Sequence, residues 1–255
     1  MQELCRLLFE LSNEDRLNIL YELKNTPMKL SRVSEKFGFT VPETARNIVR
    51  LTEALLIVKD TDGYFHLTPI GEAALQFIPS FEFISKHKKY FKTHTISTLP
   101  PEYAASIGAL QKSEFVNEVT ATFFNVEKMI REAKEFLWIS TDQILASVLP
   151  LFADATARGV EIKKLMPRNA TIPSSIMTLA NDPAFEHAAK AKLLESRYLD
   201  KLDVFIIMSE KEIAAISFQN LEGLFDYESF RTSNEAALNW AKSLFQHFWE
   251  KGKRE

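Results

Sequence analysis

The chain has 255 residues, is 46% hydrophobic and 25% charged, and carries a formal net charge of -3. A chain this long is expected to build two cores, and a balance this close to neutral supplies no overall field to hold nucleic acid, so any DNA contact must be local. Its single cysteine, Cys5, excludes an intramolecular disulfide, a cysteine-only zinc site and a CxxC switch.

The seven glycines form neither GxGxxG nor a P-loop. The start, MQELCRLLFELSNEDR, lacks the basic and apolar regions of a signal peptide, and no stretch approaches the roughly 20 apolar residues of a membrane span. A cytoplasmic protein is expected.

Leu4, Leu7, Leu8 and Leu11 recur at helical spacing, as do Leu17, Ile19, Leu20 and Leu23 in RLNILYEL, where Ser12, Asn13 or Asp15 can cap the start. Two apolar helices so early offer both a core and a dimer face. Leu30, Val33 and Phe37 make a short third helix that Gly38 can end in the left-handed conformation. Thr40 and Glu43 have the spacing of a capping box, and Pro42 sits in a first turn, where its missing amide hydrogen costs little.

In the fourth helix Ala45, Ile48, Val49 and Leu51 are expected to face the core, leaving Glu43, Arg46, Asn47 and Arg50 on the opposite face. Arginine can take guanine bidentately and asparagine can take adenine, so this face is expected in the major groove; Thr40 and Thr44 can reach phosphate, and Arg32 joins them as a candidate contact. The bland alternative is an ordinary solvated face. From Ile57 to Leu67, Asp62-Gly63 signals a two-residue hairpin between short strands, with Lys59 and His66 placed to touch backbone phosphate or the minor groove. Thr68 and Pro69 then cap and open a helix carrying Ile70, Ala73, Ala74 and Leu75.

Helix, helix, helix, hairpin, helix is the order of a winged helix-turn-helix, a unit that places one helix in a DNA groove. Residues 1–70 hold nine Lys or Arg against ten Asp or Glu, about -1, whereas DNA-binding modules are usually basic. The lysines of KHKKYFKTH, Lys86, Lys88, Lys89 and Lys92, together with His87 and His94, can make up the deficit.

Residues 79–112 pass Phe81, Phe83, Ile84, Tyr90 and Phe91 and then Pro100-Pro101, which predicts a connecting helix followed by an extended crossing. From 113 onward, helices over 113–134, 146–158, 172–191 and 233–251 alternate with apolar runs FLWIS, VEIKKLM, KLLES, DVFIIMS and IAAISF that read as strands, the last two forming a hairpin that turns at Glu210 to Glu212. The expected organisation is a winged helix-turn-helix domain over 1–78, a connecting helix and linker over 79–112, and an α/β sensor or effector-binding domain over 113–255. The fold class is α+β or α/β, a mixed sheet layered with helices.

For a ligand pocket the candidates are polar residues at strand ends beside aromatics: Trp138 and Asp142 at the first strand, Arg197 after the third, Ser217 on the hairpin and Asp226 beyond it. Each has a plainer reading, a helix cap for Asp142, surface ion pairs for Arg197 and Asp226, and core packing for Trp138. Histidines 66, 87, 94, 187 and 247 show no HxxxH or HExxH spacing, so the sequence offers no metal-ligand set; no GxSxG elbow occurs, and no catalytic residue is expected. Cys5 is expected to be a buried thiol.

The amino-terminal segment resembles archaeal winged-helix regulators of the ArsR and MarR-like groups. Its continuation, from HKKYFKTHTISTLPPEY to the terminal ALNWAKSLFQHFWEK, looks like the archaeal methanogenesis-regulator family. Such heads commonly carry a glycine before the last two apolar residues of the recognition segment, and here that place is Leu55. The second half is similar to the sensor domains of TrmB-like regulators, related in fold to phospholipase D. Those enzymes need HxKxxxxD; the local candidate is His87 with Lys89, but His94 stands where aspartate should, which implies an inert sensor. The resemblance implies an effector-responsive transcription regulator that uses no cofactor and acts as a homodimer on palindromic double-stranded DNA, its effector a small molecule or protein partner. The reading from another class is a winged-helix protein-interaction module of the transcription machinery; a phosphodiesterase would need hydrolysis dependent on His87 or Lys89.

Overall fold

The computed structural model describes residues 1–143, 146–170 and 191–254, in which the chain forms two compact units, Met1–Pro79 and Ser80–Glu255. In the first, α1 (Gln2–Leu11), α2 (Glu14–Asn25), α3 (Leu30–Phe37) and α4 (Val41–Glu53) are followed by a hairpin of β1 (Ile57–Lys59) and β2 (Phe65–Leu67). Helix α5 (Pro69–Lys86) comes next, the unit boundary falling at its Pro79. Ile19, Leu20, Val33, Leu51 and Leu56 are fully buried in one cluster; each such side chain contributes roughly 1.5–3 kcal/mol. Met28 forms an isolated antiparallel bridge with Phe65, each amide donating to the other's carbonyl at 3.3 and 2.8 Å, beside the two-stranded wing.

The local signals act as read at several points. Asn13 caps α2 through the Arg16 amide, Gly38 ends α3 at φ 68°, and Thr40 with Glu43 closes a reciprocal capping box. The hairpin differs from expectation. Asp60 N–H donates to Tyr64 O and the Gly63 amide donates to Asp60 O, so Thr61, Asp62 and Gly63 form a three-residue turn in place of a two-residue one. The cause is Asp60, whose Oδ1 accepts the amides of Asp62 and Tyr64, while Gly63 takes φ 87°. Cys5 is exposed, contrary to expectation, because α1 buries only Leu11.

In the second unit the expected extended crossing is replaced by 3-10 turns at Tyr90–Lys92 and Ile107–Leu110 around α6 (Pro101–Ala105). Pro101 opens that short helix, since a proline in a first turn removes only a hydrogen bond the helix does not make. The stretch expected as one helix over 113–134 divides into β3 (Glu114–Val116) and α7 (Val119–Glu132). Then come β4 (Phe136–Ser140), a 3-10 turn Ala146–Val148, α8 (Leu149–Ala157), β5 (Glu161–Pro167), β6 (Leu194–Leu199), β7 (Val204–Ser209), β8 (Ile213–Phe218), β9 (Ser229–Thr232) and α9 (Glu235–Lys251). The helix expected over 172–191 lies, at 172–190, outside the described residues.

The sheet runs β3-β9-β8-β7-β4-β5-β6, with β4, β5 and β6 parallel and the remaining pairs antiparallel, so the fold is the expected mixed α+β. The β7–β8 hairpin turns at Glu210 to Glu212 as the sequence predicts. Strand β9 and the short β3 are additions; EFV and SFRT are too brief to read, and Phe115 meets Phe230 only through their pairing. Every residue of β7 and β8 is buried, and β4 alternates between layers: Ile139 faces the side of α7 and α8, whereas Trp138 stacks on Phe245 of α9. Among the described residues no helix is long and apolar enough to cross a membrane.

Candidate functional site

In the winged-helix unit α4 buries Thr44, Asn47, Ile48 and Leu51, which follow i, i+3, i+4, i+7. Its outward ridge is Val41, Pro42, Arg46, Val49 and Glu53. The helix is therefore turned relative to the expected phase, and three assignments are corrected. Thr44 is fully buried with its hydroxyl donated to Thr40 O at 3.0 Å, Asn47 is 7% exposed, and Val49, expected in the core, is 52% exposed. Phasing by apolar residues alone missed that two polar side chains sit inward.

Arg50 is committed within the unit. Its Nη2 and Nε meet Glu10 Oε1 and Oε2 at 2.6 and 3.0 Å, and its guanidinium lies 5.2 Å from the Phe9 ring. Glu10 also faces Arg16 Nε at 3.2 Å, and Arg16 donates to the carbonyls of Glu10 and Phe9. The hydrogen bond from Arg50, assisted by the Arg16 charge, holds the Glu10 carboxyl below its ordinary value against the opposing effect of burial. Arg32 pairs with Glu35 at 2.6 Å, and the side chains of Thr40 and Glu43 are used in the capping box.

On the wing His66 Nε2 lies 2.7 Å from Asp60 Oδ2, a contact that, ahead of the Tyr64 and Asp62 amides, keeps the Asp60 carboxyl low. Lys59 reaches over Phe65 and Lys29 over Tyr64, at 5.8 and 4.8 Å from the ring centres. Among the described residues, Arg6, Arg16, Arg32, Lys36 and Arg50 of this unit have carboxylate partners, whereas Lys24, Lys29, Arg46 and Lys59 have none. Lys29 is the N-cap of α3, Arg46 stands on the ridge of α4, and Lys59 is on the wing.

Departure of the chain from α4 requires a residue with positive φ, and Leu55 supplies it at φ 59° while 62% exposed. Leu55 N–H donates to Thr52 O and Leu56 N–H to Leu51 O, with Leu51 and Leu56 both fully buried: a Schellman motif with its apolar contact. The exit expected to differ is thus the ordinary left-handed one, built with leucine.

In the second unit a cleft of about 410 Å³ opens at the carboxyl ends of the parallel strands β4, β5 and β6, where ligands of such sheets bind. Its polar lining is Asp142, Gln143, Asn169, Asp200, Lys201 and Gln219. Asp142 accepts a hydrogen bond from Tyr227 OH at 2.8 Å, and burial, with the Asp142 carboxylate beside it, pushes the Tyr227 hydroxyl well above its ordinary pKa.

Of the five candidate effector residues only Asp142 lines the cleft. Trp138 packs between Phe136 and Phe245, and Lys163 lies over its ring. Arg197 lies within β6, not after it, and is bound to Glu195 and the Trp249 carbonyl over the Trp249 ring. Ser217 is buried 3.4 Å from Tyr90 OH, and Asp226 meets His94. Gln143, Asn169, Asp200, Lys201 and Gln219 were not anticipated. Their common signal is position just past a strand end, and it becomes legible only once the parallel pairing is known.

The basic stretch divides by side. Lys86, Lys88, Lys89 and Lys92 are exposed, whereas His87 and His94 are buried and cannot add to a basic surface. His87 is enclosed by Phe83, Phe115 and Phe230, and burial, then the Lys86 charge, lowers its pKa. A histidine packed among three aromatic rings, with an exposed Lys89, forms no convergent phosphate site. Lys164 of β5 lines a small apolar cavity of about 30 Å³ with Phe123, Phe152 and Phe205, and burial lowers its pKa.

These features define a winged-helix protein with an accessory mixed-sheet domain that carries a polar cleft. No family profile matches the chain. It is 22% identical over 259 residues to the methanogenesis regulatory protein FilR1 of Methanothrix harundinacea (strain 6Ac), an alignment taking in 95% of this chain and 56% of that protein. The chain thus spans about half the length of this curated relative. Among solved structures, TrmBL2, described as an archaeal chromatin protein with a novel mode of DNA binding, matches with TM-score 0.44 at 16% identity, over 99% of this chain and 100% of that one. NucT from Helicobacter pylori matches at TM-score 0.40 and 13% identity, over 56% of this chain and 98% of its own. Nuc from Salmonella typhimurium, a phospholipase D family member, matches at 0.39 and 12%, over 56% and 96%.

Proposed function

We propose that the chain is a DNA-binding transcription regulator whose second unit takes an effector. The observation that carries this reading is the α4 ridge with Arg46, taken with Lys29 at the N-cap of α3 and Lys59 on the wing, cations that no carboxylate neutralises among the described residues. Arg46 is the base-reading candidate, and the two lysines are phosphate contacts. The resemblance to a methanogenesis regulatory protein supports the same reading. A homodimer is proposed through α1, which leaves Leu4 and Leu8 50% and 45% exposed on one stripe. The effector is a small, polar, hydrogen-bonding molecule in the cleft, with Asp142 and Gln219 as its orienting groups. No catalytic step belongs to this function.

Selection from a random duplex pool at two salt concentrations tests it. The expected result is a short palindrome whose enrichment fades at high salt. Replacing Arg46 with alanine should relax selectivity, and replacing Lys59 with alanine should lower the salt slope by about 1 per chain, the value for one neutralised phosphate. Folded protein that enriches nothing at either salt, with or without small polar solutes, refutes the proposal. The second reading, a protein-docking module, is favoured by the exposed Val41, Val49, Leu55 and Val58 of the same unit. Partner capture insensitive to salt would support it.

A further inference from the structure

In the second unit, His94 follows the Tyr90–Lys92 turn, and Asp226 and Glu228 lie between β8 and β9, so residues 132 apart in sequence meet. The His94 ring is stacked on Tyr90 with centroids 3.8 Å apart, and the residue is 4% exposed. Its Nδ1 lies 3.0 Å from Tyr90 O and 3.1 Å from Thr93 Oγ1. The Thr93 hydroxyl gives its own proton to the same carbonyl, at 3.2 Å, so both neighbours act as acceptors and the hydrogen resides on Nδ1. The tautomer follows from these partners. In the neutral ring Nε2 then presents its lone pair to Asp226 Oδ2 at 2.9 Å, and one carboxylate oxygen of each acid together with a His94 nitrogen lie within 4.8 Å of one another.

A lone pair and two carboxylates facing one another repel unless a cation stands among them. A proton on Nε2 would satisfy Asp226 alone. Among the described residues no hydrogen bond or ion pair engages the Glu228 carboxylate, which leaves a third oxygen ligand within 4.8 Å of the other two. Two ligands about 2.1 Å from a tetrahedral ion stand roughly 3.4 Å apart, so the His94–Asp226 pair, at 2.9 Å, would open by about half an ångström to admit one. The bond from Nδ1 to a backbone carbonyl is the outer contact by which ligating histidines are oriented. Glu228 is half-buried and would have to rotate its side chain to close the remaining gap, and the 41% exposure of the Asp226 side chain leaves a path from solvent.

We propose that His94, Asp226 and Glu228 form a binding site for a divalent transition-metal ion of the zinc class. One imidazole and two carboxylates suit such an ion better than magnesium or calcium, which prefer all-oxygen shells. The site is separate from the cleft and independent of DNA binding. Bound metal would clamp the residue 94 segment to the loop that also carries Gly223 and Phe225 of the cleft wall.

The test is calorimetric titration of the chelator-treated full chain with zinc chloride, without DNA, beside Glu228→Gln and His94→Gln, each checked by circular dichroism. The expected result is about one ion per chain in the wild type and weakening by about tenfold or more in folded Glu228→Gln. Cobalt(II) should give visible absorption that zinc displaces. Folded wild type that binds no zinc overturns the proposal, and both His94 ring nitrogens found protonated by NMR would then identify an imidazolium ion pair in its place. Zinc binding undiminished in Glu228→Gln overturns it equally.

Discussion

At the residue scale, strain and charge are concentrated where the helices of the first unit begin or end. Leu55 holds a left-handed conformation that costs a residue with a Cβ roughly 1–2 kcal/mol, yet its side chain is mostly in solvent. Leu55→Gly is therefore expected to raise stability by about 1 kcal/mol, read as a higher urea midpoint at unchanged slope. Glu10 behaves oppositely, being 14% exposed and bonded to two arginines. Because Arg50 depresses its folded pKa, its contribution is fully present above the ordinary glutamate value of about 4.3 and is lost as pH falls through the lower folded value. Glu10→Gln should cost about 1–3 kcal/mol at pH 7 and flatten the acid limb of the stability curve; an unchanged acid limb would show that the cluster contributes nothing.

Among elements, the wing and α5 meet at a close junction. Thr68 donates its amide to Leu56 O and its hydroxyl to Leu55 O, and its Oγ1 accepts the Gly71 amide. A Cβ on Gly71 would stand 2.2 Å from the Leu56 carbonyl oxygen, which is fixed backbone. Glycine is required here for close approach, since Gly71 has no positive φ. The capping box, the Gly38 terminus and the β7–β8 hairpin with its continuous apolar strands were all legible, because each depends on residues within a few positions of one another. The phase of α4 was not. Thr44 and Asn47 lie inward because one bonds the previous turn and both fit the space beneath α4, a choice made by neighbours that α4 alone does not specify.

For the whole molecule, two separate buried clusters span Leu11 to Leu75 and Phe83 to Trp249. Separate cores are expected to melt as separate cooperative units. Calorimetry should resolve two transitions, and Gly71→Ala should lower one of them by several degrees while leaving the other in place. A single transition that shifts as a whole with Gly71→Ala would show that the cores are thermodynamically one.

By itself the sequence determined the winged-helix order, the mixed helix-and-sheet class and the caps and turns, because periodicity and short-range hydrogen bonding are properties of consecutive residues. Tertiary structure alone decided that Arg50 belongs to Glu10, that Asp142 reaches a cleft while Arg197 and Ser217 do not, and that His94 meets Asp226. Those pairings depend on strand order and helix phase, which are settled by packing between segments far apart in the chain.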